Sequence, residues 1–99
     1  MNKNLRISKI FQKDIQKAVT ILKDAGCSEV FLFGSITSGE VREKSDIDLA
    51  VRGCPQEKFF HLLGKLMMEL DNAIDLVDLD SQDVFARYLE KEGELIRID

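Results

Sequence analysis

Four aspartates lie in two apolar segments whose pattern is typical of β-strands, and three of them can face the same side. Residues 46–51 read Asp-Ile-Asp-Leu-Ala-Val, and residues 73–78 read Ala-Ile-Asp-Leu-Val-Asp. Because side chains alternate between the two faces of a strand, Asp46 and Asp48 share one face and the apolar residues share the other. Asp75 lies between two core-type residues, so it points the same way as Asp46 and Asp48 if the two strands are neighbours.

The spacing of these carboxylates indicates a divalent cation. Two carboxylates about 7 Å apart along a strand repel each other unless positive charge lies between them. Carboxylate oxygens without histidine or cysteine suit Mg²⁺ or Mn²⁺, and three carboxylates from adjacent strands can hold two metal ions, as in polymerases. We therefore expect Asp46, Asp48 and Asp75 to bind metal. The alternative is that they are ordinary surface or capping residues.

A polar loop at 34–45 precedes the acidic strand. Backbone N–H groups at Gly34 and Ser35, together with the Ser35 hydroxyl, can hold phosphate oxygens, and Gly34 lets a ligand approach the main chain closely. A P-loop would need Lys where Glu40 stands. An EF-hand starting at Asp46 would need a third oxygen ligand and then a glycine, whereas positions 50 and 51 are apolar.

The elements that must carry these residues alternate between helical and strand patterns. Helices are predicted over 8–25, 55–71 and 81–92, and strands over 29–33, 46–52, 73–79 and 94–99. This order predicts an α+β fold in which helices pack on a mixed sheet of about four strands. We expect residues 1–99 to form one domain, with the Phe and Met side chains on core faces and no aromatic platform for stacked bases.

The chain of 99 residues has a net charge of −4, which is unevenly distributed. Residues 1–25 carry six Lys or Arg against two Asp, whereas residues 26–99 carry eight against sixteen Asp or Glu. The acidic main body makes broad nucleic-acid binding unlikely by charge alone, although Lys9, Lys13 and Lys17 form a basic strip that RNA or an acidic partner could contact.

Neither a membrane span nor a signal-peptide core is apparent, so we expect a cytoplasmic protein.

The two cysteines indicate little chemistry by themselves. Cys27 and Cys54 lie 27 positions apart, and the sequence has one histidine. A zinc site would need more ligands at closer spacing. We expect two free thiols that are partly buried as small hydrophobic residues.

The combination of Gly34-Ser35, ten further residues and the segment 46–51 resembles the signature of the DNA polymerase beta nucleotidyltransferase superfamily. The short chain, the early helix and the stretch 74–77 are similar to its minimal nucleotidyltransferase (MNT) group. The resemblance spans nearly the whole chain and implies the nucleotidyltransferase fold. It also implies that Gly34 and Ser35 hold the triphosphate of a nucleotide.

By the same resemblance, Asp46 and Asp48 bind two Mg²⁺ ions, and Asp75 helps to bind the catalytic metal and activates the attacking hydroxyl. One position departs from the pattern, because Ser38 stands where many relatives carry Arg. Arg42 or Lys44 could supply the missing positive charge, and Lys44 is our candidate for nucleotide binding.

Family members of this size are often encoded with a helical HEPN-domain toxin, and several transfer AMP onto it. The resemblance implies a Mg²⁺-dependent protein adenylyltransferase that uses ATP and acts as the antitoxin of such a pair. The alternative is a catalytically weak or inactive antitoxin that neutralises its partner by binding alone. Transfer to a small molecule such as an aminoglycoside and RNA binding are further alternatives, and open sheet edges leave homo-oligomers as an option.

Overall fold

The computed structural model describes residues 9–34 and 46–99. In these ranges the chain forms α1 (Lys9–Asp24), β1 (Glu29–Phe33), β2 (Ile47–Arg52), α2 (Phe59–Glu69), β3 (Ile74–Asp78), α3 (Val84–Glu92) and β4 (Ile96–Arg97). A single 3-10 turn at Gln56–Lys58 leads into α2. The order of elements confirms the α+β fold expected from the sequence.

The first helix packs by one apolar side and ends in a tight glycine turn. Its buried side chains recur at three- and four-residue intervals: Phe11, Ile15, Ala18 and Leu22. Gly26 adopts a positive φ of 105°. The N–H of Gly26 donates to the Lys23 carbonyl, and the N–H of Cys27 donates to the Leu22 carbonyl. This pair of bonds is a Schellman motif, which explains why the helix stops there.

The four described strands form one mixed sheet in the order β3-β2-β1-β4. β1 pairs antiparallel with both β2 and β4, whereas β2 and β3 run parallel. The β2–β3 crossover contains α2, as parallel neighbours require. The sequence prediction that β2 and β3 are neighbours is therefore confirmed.

The two faces of the sheet are packed differently. One face carries the larger core together with α1 and α2: Val30, Leu32, Ile47, Leu49, Val51, Ile74 and Leu76. The opposite face is covered in part by α3, through a smaller buried cluster: Phe31, Phe33, Ala50, Leu79 and Leu89. We call this second side the α3 face. Strand alternation places Asp48 with Ala50, and therefore on the α3 face.

Several elements are shorter than the sequence pattern predicted. α3 begins at Val84 because Asp83 caps it, with its carboxylate accepting the N–H of Phe85 at 3.2 Å. The hydroxyl of Ser81 accepts the N–H of Asp83 at 3.0 Å, which keeps the preceding residues in a turn. The strand predicted at 94–99 is shorter in the structure and consists of Ile96 and Arg97, which pair with β1.

The expectation of two free thiols is wrong, because Cys27 and Cys54 form a disulfide. β1 and β2 pair so that Glu29 lies opposite Arg52, and the N–H of Ser28 donates to the Arg52 carbonyl at 2.9 Å. Continuing that register outward by two residues on each strand brings the two cysteines opposite each other. Both are buried, as expected, with 2% and 6% of their surface exposed.

The prediction that all Phe and Met side chains lie on core faces is also wrong. Large apolar side chains are exposed on α2 and on the first half of α3: Phe60, Met67, Met68, Val84, Phe85 and Tyr88. Of these side chains, Phe85 is about half exposed and its ring lies against that of Phe33 in β1. Within the ranges described, none of the helices combines the length and the apolar character required to cross a membrane.

Candidate active site

The three predicted carboxylates come together at one end of the β2–β3 pair. Asp46 precedes β2 directly, Asp48 lies in β2, and Asp75 lies in β3. Asp48 and Asp75 are register partners across the parallel pair, so their Cα atoms are separated by about one strand spacing of 4.8 Å. Asp46 and Asp75 are exposed and Asp48 is half-buried. The structure thus brings together the residues that strand alternation selected.

The charges of these carboxylates interact. Burial, followed by the negative charges of Asp75 and Asp46, raises the pKa of Asp48 from its ordinary 3.8 to about 6. A carboxyl group responds in this way when like charges lie near it and water solvates it incompletely. The site therefore favours a positive charge between the carboxylates.

Gly34 ends β1 beside this group. Its φ is +82°, a left-handed conformation that residues with a side chain rarely adopt. A Cβ at this position would lie 3.1 Å from Cγ of Asp48 and would collide with its carboxylate. Glycine is therefore required here for two reasons: the turn needs a positive φ, and the Asp48 carboxylate needs the room that a Cβ would take. Ser35 and Lys44, as well as Ser38 and Arg42, lie outside the described residues.

The donor set fits a hard divalent cation, although the side chains do not form a finished metal cage. In the part of the chain that the structure describes, no three His, Cys, Asp or Glu side chains are already grouped as a metal site. The oxygen-only donors of Asp46, Asp48 and Asp75 nevertheless match the chemistry of Mg²⁺ or Mn²⁺. The mutual repulsion that raises the pKa of Asp48 is what a bound cation would relieve.

An aromatic pair borders the carboxylates on the α3 face. Phe33 is the register partner of Asp48. Its ring lies 6.2 Å from the ring of Phe85, in an edge-to-face arrangement with an interplanar angle of 61°. This contact fixes the start of α3 next to the site, a neighbourhood that the sequence pattern did not reveal.

Sequence reasoning also missed Asp14, which lies on the buried side of α1. Its carboxylate accepts hydrogen bonds from the turn before β3, from the N–H groups of Asp71 and Asn72 and from Asn72 Nδ2. A signal was present in the sequence, because Asp14 occupies a core position at three- and four-residue spacing from Phe11 and Ala18. A charged residue in such a position needs specific partners.

Comparison with known proteins supports the fold. The chain matches the family model described as "Polymerase beta, Nucleotidyltransferase" over residues 7–98. No curated protein matches the sequence. A chain from a crystal structure of a toxin–antitoxin with AMP-PNP is 31% identical, with a TM-score of 0.63, and the match covers 81% of this chain and 69% of that one.

Two further solved structures show the same similarity. A chain from the toxin–antitoxin MntA–HepT is 29% identical with a TM-score of 0.60, over 85% of this chain and 69% of that chain. A chain from a complex of a tri-AMPylated Shewanella oneidensis HEPN toxin with MNT antitoxin is 30% identical with a TM-score of 0.59, again over 85% and 69%. The chain belongs to the polymerase beta nucleotidyltransferase family, and within it to the minimal nucleotidyltransferases.

Proposed function

We propose that this protein is the antitoxin of a HEPN-domain toxin and transfers AMP, or another nucleoside monophosphate, from a nucleoside triphosphate to a hydroxyl of that toxin. Support comes from the family match and from similar chains in toxin–antitoxin structures, one with AMP-PNP and one with an AMPylated toxin. The reaction takes place in the cytoplasm, where ATP and Mg²⁺ are both available.

One observation carries the proposal. Asp48 and Asp75 are register partners on the α3 face, and Asp46 lies close enough to contribute to the raised pKa of Asp48. The lack of a side chain at Gly34 gives the Asp48 carboxylate room beside the β1 turn. A cation-binding group of carboxylates beside an open glycine turn suits the binding of a metal–nucleotide complex.

In this proposal Asp46 and Asp48 would hold two Mg²⁺ ions, with Asp75 as a further ligand. The ions supply charge neutralisation at the phosphoryl oxygens and at the leaving group. Gly34 and Ser35 bind the triphosphate, and Lys44 adds positive charge to it. Protonation of Asp48 competes with the cation, because burial and the charges of Asp75 and Asp46 raise the pKa of Asp48 to about 6 in the metal-free site.

The bond changes follow from the chemistry of nucleotidyl transfer. The acceptor hydroxyl oxygen forms a bond to the α-phosphorus while the bond from that phosphorus to the bridging oxygen breaks. Pyrophosphate leaves with the electron pair of the broken bond, and Asp75 accepts the hydroxyl proton. Asp75 suits this role because it is exposed and lies beside Asp48.

Label transfer tests the proposal. Incubation with α-labelled ATP, Mg²⁺ and a HEPN-domain partner toxin should label that toxin. Asp48→Ala should abolish labelling, since it removes the carboxylate at the centre of the group. Asp78→Ala is a matched control in β3, and labelling should persist with it because Asp78 lies an odd number of residues from Asp75 and so on the other face. Equal labelling by the Asp48 variant would exclude this site.

Neutralisation by binding alone is the second candidate, favoured by Ser38 in place of the usual Arg. It predicts that Asp46→Ala and Asp48→Ala leave toxin neutralisation intact in a growth assay. The transferase proposal predicts that both variants lose neutralisation while still forming the complex. Pull-down of the toxin by the variants separates loss of transfer from loss of binding.

A further inference from the structure

A buried carboxylate connects α1 to the turn that starts β3. Asp14 has 2% of its surface exposed. It accepts the N–H of Asp71 at 3.1 Å, the N–H of Asn72 at 2.9 Å and Asn72 Nδ2 at 2.8 Å. Three donors from two consecutive residues thus converge on one carboxylate.

Such an arrangement is specific for an ionised carboxylate. A buried charge is tolerated only when hydrogen bonds replace its lost water, and a carboxylate offers acceptors alone. An amide in its place would turn an NH₂ group toward at least one of the N–H donors. The turn at residues 71 and 72 would then lose part of its attachment to α1, although side-chain volume is unchanged.

The turn directly precedes the residues that set the register of β3. The carbonyl of Ala73 accepts the N–H of Ile47 at 2.8 Å. Ile74 pairs with Ile47, and Asp75 pairs with Asp48 in the following position. Since a slip of one residue turns every side chain of a strand to the other face, the start of β3 decides whether Asp75 faces Asp48.

We infer that Asp14 is a positioning residue for nucleotidyl transfer: by fixing the turn at residues 71 and 72, it holds the start of β3 so that Asp75 stays beside Asp48. The inference rests on the proposed function for its catalytic meaning. Asp14 itself does not touch the nucleotide or the acceptor, since it lies in the core on the side of the sheet opposite the α3 face.

The test compares Asp14→Asn with a matched control, Glu69→Gln. Glu69 also joins α1 to the end of α2, through an exposed ion pair with Lys17 at 3.8 Å, but does not reach the turn. Asn72→Ala, which removes one donor and leaves the two backbone donors, is the milder variant should Asp14→Asn fail to fold. The readouts are amide hydrogen exchange, Mn²⁺ binding by electron paramagnetic resonance, and kcat and KM for label transfer.

In Asp14→Asn, we expect the Ile47 amide to exchange about tenfold faster, because its acceptor follows the released turn. The Ile98 amide, which donates to the Val30 carbonyl in the β1–β4 pair, should keep its rate. Mn²⁺ affinity and kcat should each fall about tenfold, while KM for the nucleotide stays nearly constant. Asn72→Ala should show smaller changes in the same direction, and Glu69→Gln none.

Two results would overturn the inference. An unchanged exchange rate of the Ile47 amide in Asp14→Asn would show that Asp14 does not hold the start of β3. Faster exchange at Ile47 with unchanged kcat and Mn²⁺ affinity would show a structural role only. Failure of the proposed function gives a different result, because the unsubstituted protein would then neither bind Mn²⁺ nor label its partner. In that case Asp14 could not have a role in nucleotidyl transfer either.

Discussion

Asp48 is the residue on which the chemistry of the candidate site depends most. Burial of its carboxylate, followed by the negative charges of Asp75 and Asp46, raises its pKa to about 6. Alternation in the sequence was sufficient to place Asp46 and Asp48 on one face, whereas placing Asp75 with them also required β2 and β3 to be neighbours, as the structure shows. The raised pKa could not be predicted in the same way, because it depends on how deeply the sheet and α3 bury one carboxylate of the group.

The raised pKa has a consequence for stability without metal. Between pH 3.8, the ordinary pKa, and about pH 6, the folded protein binds more protons at Asp48 than the unfolded chain does. The free energy of unfolding therefore falls as pH rises through this window, and the Asp48 carboxylate destabilises the fold above it. Solvent screening reduces the effect at this half-exposed group to about 1 kcal/mol.

We therefore expect Asp48→Asn to raise the free energy of unfolding by about 1 kcal/mol near pH 8 in the presence of a chelator. The gain should disappear near pH 4, where Asp48 is protonated in the folded protein. Urea unfolding at several pH values measures both. A variant that is less stable than the unsubstituted protein near pH 8 would contradict the assigned environment of Asp48.

At the scale of elements, the antiparallel register of β1 and β2 determines two separate features. One end of the pair brings Phe33 opposite Asp48, and the other end leads to the Cys27–Cys54 disulfide. The sequence pattern predicted both strands but not their register, although that register alone pairs the cysteines. Helix starts were predicted less well, because local hydrogen bonds such as the Asp83 cap decide them.

The disulfide closes a long loop and should stabilise the fold measurably. We expect reduction to lower the free energy of unfolding by about 3 kcal/mol, since the crosslink limits the freedom of the unfolded chain. Thermal unfolding with and without reductant should differ by on the order of 10 °C. A Cys27→Ser/Cys54→Ser double variant should match the reduced protein and be insensitive to reductant. Identical melting of oxidised and reduced protein would contradict this prediction.

At the scale of the whole molecule, the helices cover the two faces of the sheet to different extents. α1 and α2 cover the core face, whereas α3 covers the α3 face only in part and leaves the carboxylates accessible. Arg52 pairs with Glu90 and fixes the far end of α3 to β2. The amphipathic periodicity of the helices predicted that they cover the sheet. It did not predict which face each helix covers, because that depends on how the connections between strands cross the sheet.

This asymmetry predicts where an acceptor protein approaches. An acceptor hydroxyl must reach the carboxylates on the α3 face, and Phe85, 48% exposed, borders them through its contact with Phe33. We expect Phe85→Ala to lower the rate of transfer to a protein acceptor by about tenfold, since aromatic residues often dominate such contacts. Nucleotide-dependent Mn²⁺ binding should be retained.

Phe60→Ala is the matched control for this prediction. Phe60 is 81% exposed on the outer side of α2, which packs on the opposite face of the sheet. Its substitution should leave the rate of transfer unchanged. Equal losses in the two variants, measured with labelled ATP and the HEPN partner, would show that the acceptor does not approach by the α3 face.

The most direct test of the central claim is a titration of the protein with Mn²⁺ in the presence of a non-hydrolysable ATP analogue, followed by electron paramagnetic resonance. If Asp46, Asp48 and Asp75 form the metal site, two ions bind per chain, and Asp48→Asn and Asp75→Asn each weaken binding by about tenfold or more. Asp78→Asn, in the same strand as Asp75, binds normally. Absence of bound Mn²⁺, or binding that none of these carboxylates affects, would contradict the account.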